Sequence, residues 1–358
     1  MRWDIFCKII DNYGDAGVCW RLCKSLLTSP HSEASRRIEQ IRLFCDDLEV
    51  LQELQDKVTE NYPASTLEVL AWDQASAHHA QKVDVVIEAF ACELPAPYVR
   101  HLRQDVVWLN LEYLSAEEFA LSSHGMGSPQ NTGQTKFFYF PGFLPASGGL
   151  LHGTPYIHRQ GQHPLAKGSK YLAQFLEKLS PDSKKVSVFQ YPSRDLSAWL
   201  MNLDQLCQSR GERVDLILCA GQKLDMALQH IDTHQLPMLS QYDYDILLQN
   251  CDLNLVRGED SFVRAQLAGR PFIWDIYQQT DGVHLQKHAA FFALFSQYCP
   301  KPLLPALHAL HHYELPEHWW QLLPELNQQA QSWARYLLEQ TPLEVKIQDF
   351  VKTQENMR

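Results

Sequence analysis

Two aspartates stand four residues apart in the segment DNYGD, between an apolar stretch and an amphipathic one. Loops that bind phosphate at the start of a helix usually carry glycines there and no acids, because carboxylates repel phosphate. Asp11 and Asp15 therefore favour general acid–base chemistry or a cationic ligand. The structural alternative is that Asp15 caps a helix over Ala16–Leu27 while Asp11 bonds within the turn.

A second chemically suggestive segment is VRGEDS. A turn at Arg257 and Gly258 precedes a helix that is predicted to begin near Asp260 and Ser261. Backbone amides at a helix start, a serine hydroxyl and an arginine are typical of a diphosphate site. Glu259 and Asp260 would repel phosphate, so they are expected to bind a hydroxyl, cap the helix or act in catalysis. The alternative interpretation, that Arg257 forms an ion pair at the surface, stays open.

Aromatic and amide side chains could complete a nucleotide site. Phe189 and Tyr191 lie at a predicted strand end, where alternation points both to one side, and could stack on a nucleobase or fill a core. Gln241 and Tyr244 stand before or at a helix start. They could reach a base edge or belong to a capped helix entry.

The segment LEYLSAEEF is acidic and aromatic, and follows a predicted strand. Its side chains suit a basic partner or a solvated helix start: Glu112, Tyr113, Glu117 and Glu118. Histidines also cluster, at His284 and His288 and at His308, His311 and His312. Neither set has a neighbouring cysteine or an HExxH pattern, so no metal site is predicted.

Composition narrows the classes of function. The chain has 358 residues, 45% hydrophobic and 20% charged, which predicts a globular protein of two domains. Its formal net charge of −11 argues against nucleic acid as a partner and permits a basic protein. Nine cysteines without CxxC pairs, and no signal peptide, favour a cytoplasmic protein with reduced thiols. No apolar run approaches the ~18 residues of a membrane span.

Strands alternate with helices twice along the chain, which predicts two parallel, doubly wound sheets. The first round has strands over Trp3–Ile10, Ile41–Asp47, Leu67–Trp72, Val83–Phe90 and Asp105–Leu114, and the second over Val186–Tyr191, Arg213–Gly221, Asp252–Val256 and Arg270–Tyr277. Phe119–Gly153, rich in Gly, Ser and Pro, is predicted to form long loops, and LPMLSQ a short extended segment. Helical segments follow the last strand.

These elements predict an α/β protein with an N-terminal Rossmann-like domain over residues 1–160, a second over residues 161–335 and a helical tail over residues 336–358. The boundary is expected in the polar segment Tyr156–Lys167. The tail is expected to pack back on the first domain. Ligands of such sheets bind beyond the carboxyl ends of the strands, so a central cleft faced by both domains is predicted.

Four blocks together resemble the bacterial protein-arginine rhamnosyltransferases, which modify an arginine of translation elongation factor P (EF-P). The blocks are IDNYGDAGVCWRL, LNLEYLSAEEF, FFYFPGFLPASGGLL and LNLVRGEDSFVRAQLAGRPFIWDIY. The resemblance implies the GT-B glycosyltransferase fold, dTDP-β-L-rhamnose as donor, inversion at the sugar and no metal or other cofactor. It also implies EF-P as partner, through a basic N-terminal domain that carries the acceptor arginine.

Carried over by motif position, the resemblance makes Asp11, Asp15 and Glu259 catalytic acids. It assigns donor contacts to two segments and four further residues: Asn12, Tyr13, Gly14 and Asp15; Arg257, Gly258, Glu259, Asp260 and Ser261; and Phe189, Tyr191, Gln241 and Tyr244.

Arginine is a poor nucleophile, since its guanidinium has a pKa above ~12 and delocalises its lone pairs. We expect Asp15 to orient it or accept its proton, Asp11 to position it and Glu259 to act on the sugar side. Another nucleotide sugar or a small-molecule acceptor, and a non-catalytic nucleotide-sugar-binding module, stay as alternatives. A nicotinamide oxidoreductase is disfavoured, because DNYGD stands where GxGxxG would be.

Overall fold

The computed structural model describes residues 1–11, 13–28, 37–54, 66–153, 168–278, 282–316 and 318–357. The chain forms two compact units, the first comprising Met1–Pro155 with Leu338–Arg358 and the second Tyr156–Leu337. The sequence places these boundaries at 160/161 and 335/336. The predicted linker Tyr156–Lys167 lies outside the described residues.

The first unit contains a seven-stranded sheet in the order β3-β2-β1-β4-β5-β7-β6. Every pairing is parallel except that of β6 with β7. Its elements up to residue 153 are β1 (Arg2–Cys7), α1 (Tyr13–Thr28), β2 (Gln40–Cys45), α2 (Leu48–Leu54), β3 (Leu67–Ala71), a 3₁₀ turn (Trp72–Gln74), α3 (Ala77–Ala80), β4 (Val85–Ala89), α4 (Ala96–Val99), β5 (Val107–Leu111), α5 (Glu118–Ser123), β6 (Gly127–Pro129) and β7 (Thr135–Tyr139).

The second unit contains a five-stranded parallel sheet in the order β10-β9-β8-β11-β12. Its elements are α6 (Lys170–Leu176), β8 (Lys184–Val188), α7 (Ser197–Arg210), β9 (Val214–Leu218), β10 (Ile231–Gln235), α8 (Gln241–Asn250), β11 (Leu253–Arg257), α9 (Asp260–Leu267), β12 (Phe272–Asp275), α10 (Val283–Ser296), a 3₁₀ turn (Lys301–Leu303), α11 (Leu304–His311) and α12 (Trp319–Leu338). The alternation read from the sequence is confirmed in both units.

The C-terminal helix α13 (Leu343–Asn356) belongs to the core of the first unit. Leu343, Ile347 and Val351 are buried in the same cluster as α1 and β1. The Lys346 ammonium also donates to the carbonyls of Pro145 and Ser147, at 2.7 and 2.8 Å. Apolar burial and these hydrogen bonds together hold the helix in place.

One prediction about an individual element is wrong. Phe119–Gly153 is not all loop, because α5, β6 and β7 lie within it and β7 pairs in parallel with β5. The aromatic run of β7 extends the sheet, although its glycine-rich and proline-rich flanks suggest loops. Sequence reasoning missed the strand β10 (Ile231–Gln235), which directly precedes LPMLSQ, the segment predicted to be short and extended; its last residue, Gln241, begins α8.

A buried ion pair anchors β1 in the middle of the first sheet. The Arg42 guanidinium donates to both carboxylate oxygens of Asp4, at 2.6 and 2.9 Å, and the Tyr98 hydroxyl donates to the same carboxylate. Burial raises the pKa of Asp4 to about 6, and Arg42 opposes that shift. The pairing fixes the strand that leads into the DNYGD segment.

The histidines of α10 and α11 form part of an aromatic cluster. His311 is buried, and its ring centroid lies 5.4 Å from that of Phe272, 5.3 Å from that of Phe292 and 5.9 Å from that of His288. Neither of its ring nitrogens has a hydrogen-bond partner among the described residues. Across that part of the chain no group of three His, Cys, Asp or Glu side chains is placed to hold a metal ion.

All nine cysteines are buried free thiols. In the portion of the chain that the structure describes, no helix combines the length and apolar character needed to cross a bilayer.

Protonation of His311 is expected to destabilise the fold. Burial and the neighbouring His288, His312 and His308 lower its pKa from 6.5 to about 3. The unfolded chain therefore binds the proton at a higher pH than the folded chain, and the free energy of unfolding falls as the pH drops from 6.5 towards 3. Between pH 7 and 5 we expect this residue to cost about 2 kcal/mol of stability.

Urea unfolding at both pH values measures this loss in the wild type and in His311→Phe. The variant should lose less stability than the wild type. The matched control is His308→Phe, on the same helix but exposed, which should behave like the wild type. An equal loss in the wild type and His311→Phe would contradict the assignment.

Candidate active site

The DNYGD turn is closed by the side chain of Asp15. Its Oδ2 accepts hydrogen bonds from the backbone amides of Ile10 and Asp11, at 2.8 and 2.9 Å. The Gly14 amide donates to the Asp11 carbonyl at 2.7 Å. Helix α1 begins at Tyr13, so the interpretation of Asp15 as the cap of a helix over Ala16–Leu27 is wrong. Its carboxylate holds the segment before the helix.

The environment of Asp15 is desolvated. The residue is 2% exposed, and burial raises the pKa of its carboxyl. The amides of Asp11 and Ile10 and the hydroxyl of Tyr113 oppose that shift, because they stabilise the charged form. A carboxylate with a raised pKa is a stronger proton acceptor than an exposed one. The geometry therefore suits a general base.

Asp11 is half-buried and lies against Gly14. A Cβ added to Gly14 would lie 2.7 Å from Asp11 Oδ2, closer than side chains normally approach. The glycine thus leaves room for this carboxylate. Tyr13 belongs to the same turn and donates from its hydroxyl to Glu53 at 2.5 Å. The predicted donor-contact residue Asn12 lies outside the described residues.

A strained segment follows β4, at the same carboxyl end of the first sheet at which DNYGD follows β1. Phe90, Ala91 and Glu93 have positive φ angles of 57°, 51° and 54°, which non-glycine residues rarely adopt. Phe90 stacks on Tyr113 with ring centroids 4.4 Å apart. This places the Tyr113 ring, whose hydroxyl bonds Asp15, on a fixed aromatic surface. The sequence gives no sign of this strain, because none of these residue types favours a left-handed conformation.

Buried polar groups hold the strained segment. The Glu88 carboxylate accepts from the backbone amide of Glu93 at 3.0 Å and from the Trp108 indole at 3.1 Å. The Asn110 side-chain carbonyl accepts from the Ala91 amide at 3.0 Å, and its amide group donates to Glu112. Burial raises the pKa of Glu112. Two residues of the acidic segment LEYLSAEEF therefore contact the strained segment and its partners. Glu112 accepts a hydrogen bond from Asn110, and Tyr113 stacks on Phe90.

Glu117 and Glu118 are placed at the start of α5. The Ser115 hydroxyl donates to Glu117, and the Glu117 amide donates to that hydroxyl, both at 2.9 Å. This arrangement agrees with the interpretation of Glu117 and Glu118 as the start of a helix.

In the second unit, Arg257 lies over the two predicted aromatic side chains. Its guanidinium carbon is 4.4 Å from the ring centroid of Phe189 and 5.0 Å from that of Tyr191. One guanidinium nitrogen donates to the Gln190 carbonyl at 3.2 Å. β8 and β11 are neighbours in the sheet, so their carboxyl ends bring these residues together. Cation–π contact fixes the arginine in place.

Gln241 and Tyr244, on the first turn of α8, join the same cluster. The Tyr244 ring lies 5.7 Å from that of Phe189, and burial raises the pKa of its hydroxyl well above the usual value. The Gln241 side-chain amide donates to Asp260 Oδ2 at 3.3 Å. The residues that the sequence assigns to a nucleotide are therefore adjacent in this unit.

The VRGEDS turn has the predicted form. Gly258 adopts a positive φ of 62° and its carbonyl accepts from the Trp274 indole at 2.9 Å. The Ser261 hydroxyl donates to the Arg257 carbonyl. Helix α9 begins at Asp260 after Glu259, whose side chain makes no capping hydrogen bond. The cap interpretation of Asp260 is wrong, because it stands inside the helix.

Glu259 instead forms an ion pair with Lys287, a residue of α10 that sequence reasoning missed. The Lys287 ammonium lies 2.5 Å from Glu259 Oε1. No local sequence signal could have found it, since the two residues stand on different elements and meet only in the folded unit.

Asp275 is a second missed residue, at the end of β12. Its buried carboxylate accepts from the Tyr191 amide at 3.1 Å and from the Arg194 guanidinium at 2.7 Å. The guanidinium carbon of Arg194 also lies 4.7 Å from the ring centroid of Tyr313. These contacts fix the loop that carries Tyr191.

The second unit thus offers flat aromatic faces, a cation and a helix start within one cluster. Such a set can stack on a base and neutralise a diphosphate. The first unit offers two carboxylates, one of them desolvated, which can bind and deprotonate a cationic group.

Comparisons with known proteins also indicate a glycosyltransferase that acts on arginine. Residues 3–352 match the sequence profile of the family described as Elongation-Factor P (EF-P) rhamnosyltransferase EarP. The chain is 39% identical over 324 residues to the protein-arginine rhamnosyltransferase of Pseudomonas aeruginosa, covering 84% of this chain and 83% of that relative. The solved structure described as the structural basis for EarP-mediated arginine glycosylation of EF-P has a TM-score of 0.63 and 26% identity, covering 98% of this chain and 99% of the other.

The fold extends to more distant glycosyltransferases. Spinosyn rhamnosyltransferase SpnG has a TM-score of 0.52 at 11% identity, covering 99% of this chain and all of that one, at 100%. The chain has the GT-B glycosyltransferase fold, with two parallel-sheet domains and a C-terminal helical tail, as the sequence predicts.

Removing the Tyr113 hydroxyl is expected to raise the pKa of Asp15 further. In Tyr113→Phe the ring and its stacking on Phe90 remain, but one hydrogen bond to the charged carboxylate is lost. We expect the pKa of Asp15 to shift further upward, measured by carboxyl NMR on protein labelled at aspartate. The control is Tyr171→Phe, which removes an exposed tyrosine hydroxyl of the second unit and should leave the pKa of Asp15 unchanged. An unchanged or lower pKa in Tyr113→Phe would contradict the hydrogen bond.

Proposed function

The chain belongs to the EarP family of EF-P rhamnosyltransferases, and we propose that it transfers L-rhamnose from dTDP-β-L-rhamnose to a guanidinium nitrogen of one arginine of EF-P. Its enzyme class is protein-arginine rhamnosyltransferase. We place the reaction in the cytoplasm, with the basic N-terminal domain of EF-P as the acceptor.

The turn that carries Asp11 and Asp15 is the observation on which the proposal depends. A guanidinium binds carboxylates through paired hydrogen bonds, and its pKa above ~12 keeps it charged and weakly nucleophilic. We assign Asp15 the role of base, because burial raises its pKa. Asp11, half-buried beside Gly14, is assigned to orienting the guanidinium.

The reaction then follows from these roles. The guanidinium nitrogen attacks the anomeric carbon of rhamnose from the face opposite dTDP, so the configuration inverts. The carbon–oxygen bond to the diphosphate breaks and dTDP leaves with that electron pair. The nitrogen loses a proton to the Asp15 carboxylate, and Glu259 acts on the sugar side.

The nucleotide and the diphosphate of the donor are assigned to the second unit. Phe189, Tyr191, Gln241 and Tyr244 are proposed to contact the nucleotide, since aromatic faces stack on bases and an amide can bond a base edge. Arg257 and the start of α9, with Ser261, are proposed to neutralise the departing diphosphate. On this assignment, protein groups neutralise the negative charge of the departing diphosphate, and no metal ion is needed for that.

Mass spectrometry of purified EF-P after incubation with this enzyme and dTDP-β-L-rhamnose tests the proposal. We expect a gain of one deoxyhexose on a single arginine, and none when that arginine is replaced by lysine. UDP-sugars should neither replace the donor nor compete for it. Modification with a UDP-sugar alone, or no modification of EF-P, would contradict the proposal.

Asp15→Asn is expected to lower kcat by about 10²–10⁴-fold, the usual contribution of a general base. Binding of dTDP should stay within about threefold of the wild type, because the nucleotide and the diphosphate are assigned to the other unit. Single-turnover kinetics and calorimetry measure the two quantities, with thermal unfolding as the control for folding. A variant that keeps more than about a tenth of the wild-type rate would remove Asp15 from this role.

Gly14→Ala tests whether the position of the Asp11 carboxylate matters. The new Cβ would lie 2.7 Å from Asp11 Oδ2 in its present position, so the Asp11 carboxylate would have to move. We expect kcat to fall by at least about tenfold, because small misplacements of a reacting group are costly. The fold should hold, since alanine favours a helix over glycine by about 1 kcal/mol.

The control for Gly14→Ala is the same change in an Asp11→Ala background. With no carboxylate to displace, it should have no further effect on kcat. An unchanged kcat in Gly14→Ala, or an equal fall in both backgrounds, would show that the Asp11 carboxylate is not what the glycine accommodates.

A further inference from the structure

Glu259 presents an electrostatic difficulty at the proposed diphosphate site. It directly precedes α9, whose start is assigned to the diphosphate, and Asp260 adds a second carboxylate next to it. Two carboxylates near a diphosphate would repel it strongly in a partly desolvated place. A site of this kind requires a compensating positive charge close to the acids.

Lys287 has the geometry to supply that charge. Its ammonium lies 2.5 Å from Glu259 Oε1, and the two side chains are only 19% and 14% exposed. An ion pair shielded to this degree is screened less by salt and water than a surface pair. Arg257, in contrast, lies over the rings of Phe189 and Tyr191 and donates to the Gln190 carbonyl.

The surroundings of Glu259 support a role beyond stability. Its carboxylate does not cap α9, although it stands at the capping position. The contact with Lys287 joins α10 to the turn between β11 and α9. It therefore fixes where the carboxylate points relative to the helix start.

We infer that Lys287 is a positioning residue that neutralises and orients Glu259, so that an anionic sugar diphosphate can bind at the start of α9. This inference rests on the proposed function, because it takes the donor to be a nucleoside diphosphate sugar held there. Lys287 acts through Glu259 and is assigned no contact with the reacting atoms.

A double-mutant cycle that removes the two charges singly and together, called the charge cycle below, tests the inference. The affinity for dTDP is measured by calorimetry in each variant. Lys287→Met leaves an unbalanced carboxylate and should weaken binding by at least about tenfold. Glu259→Gln leaves an unbalanced ammonium, so dTDP should bind at least as tightly as to the wild type. The double variant has neither charge and should return to within about threefold of the wild type.

Three further measurements complete the design. Lys287→Arg keeps the charge and should rescue dTDP binding to within about threefold. Lys178→Met removes an exposed lysine of the same unit and should leave the affinity unchanged. Turnover in the Lys287→Met/Glu259→Gln double variant should stay low although binding returns, because the Glu259 carboxylate is absent.

A purely structural role for Lys287 would give a different pattern. Binding would then be weak in both Lys287→Met and the double variant, and that result would overturn the inference. Unchanged affinity in Lys287→Met would overturn it as well. Should Lys287→Met fail to fold, as judged by thermal unfolding, Lys287→Gln alone and with Glu259→Gln gives the same comparison.

The inference and the proposed function fail separately. If the wild type binds dTDP and modifies EF-P but the charge cycle shows no recovery, only the role of Lys287 is wrong. If the wild type does not bind dTDP at all, the proposed donor is wrong, and the inference is overturned with it.

Discussion

The carboxylate of Asp15 is the constraint on which the first unit's site depends. Its Oδ2 accepts hydrogen bonds from the backbone amides of Ile10 and Asp11, which ties these two residues, beyond the end of β1, to the first turn of α1. The same hydrogen bonds keep the carboxylate buried, and burial raises its pKa. One interaction therefore shapes the turn, holds Asp11 beside Gly14 and creates a proton acceptor. Tyr113, held by the strained segment after β4, completes this arrangement.

Paired charges organise the second unit in a comparable way. Asp275 holds Arg194 and the amide of Tyr191, while Lys287 holds Glu259. Asp275 and Glu259 are thus each paired with a cation, and Arg257 lies in contact with the aromatic faces. The first unit binds a cation through acids and the second an anion through cations in the proposed reaction. This division explains why aspartates stand where phosphate-binding loops carry glycines.

Much of this could be predicted from the sequence because it is local. The strand, Gly258 turn and helix of VRGEDS follow from residue types that are adjacent in the chain, and the alternation of strands and helices follows from apolar periodicity. The strand β7 could not be predicted, since its flanks carry loop residues and its pairing with β5 is a tertiary contact. The positive φ angles of Phe90 and Ala91 and the partnership of Glu259 with Lys287 depend on the folded unit alone.

The most direct measurement is a crystal structure of the Asp15→Asn variant bound to EF-P and dTDP, which tests where the acceptor arginine lies. The account predicts a guanidinium nitrogen within about 3 Å of the substituted side chain's amide oxygen or of an Asp11 carboxylate oxygen, the range of a hydrogen bond from a charged donor. An acceptor arginine held by other residues, with the 11–15 turn empty, would contradict it.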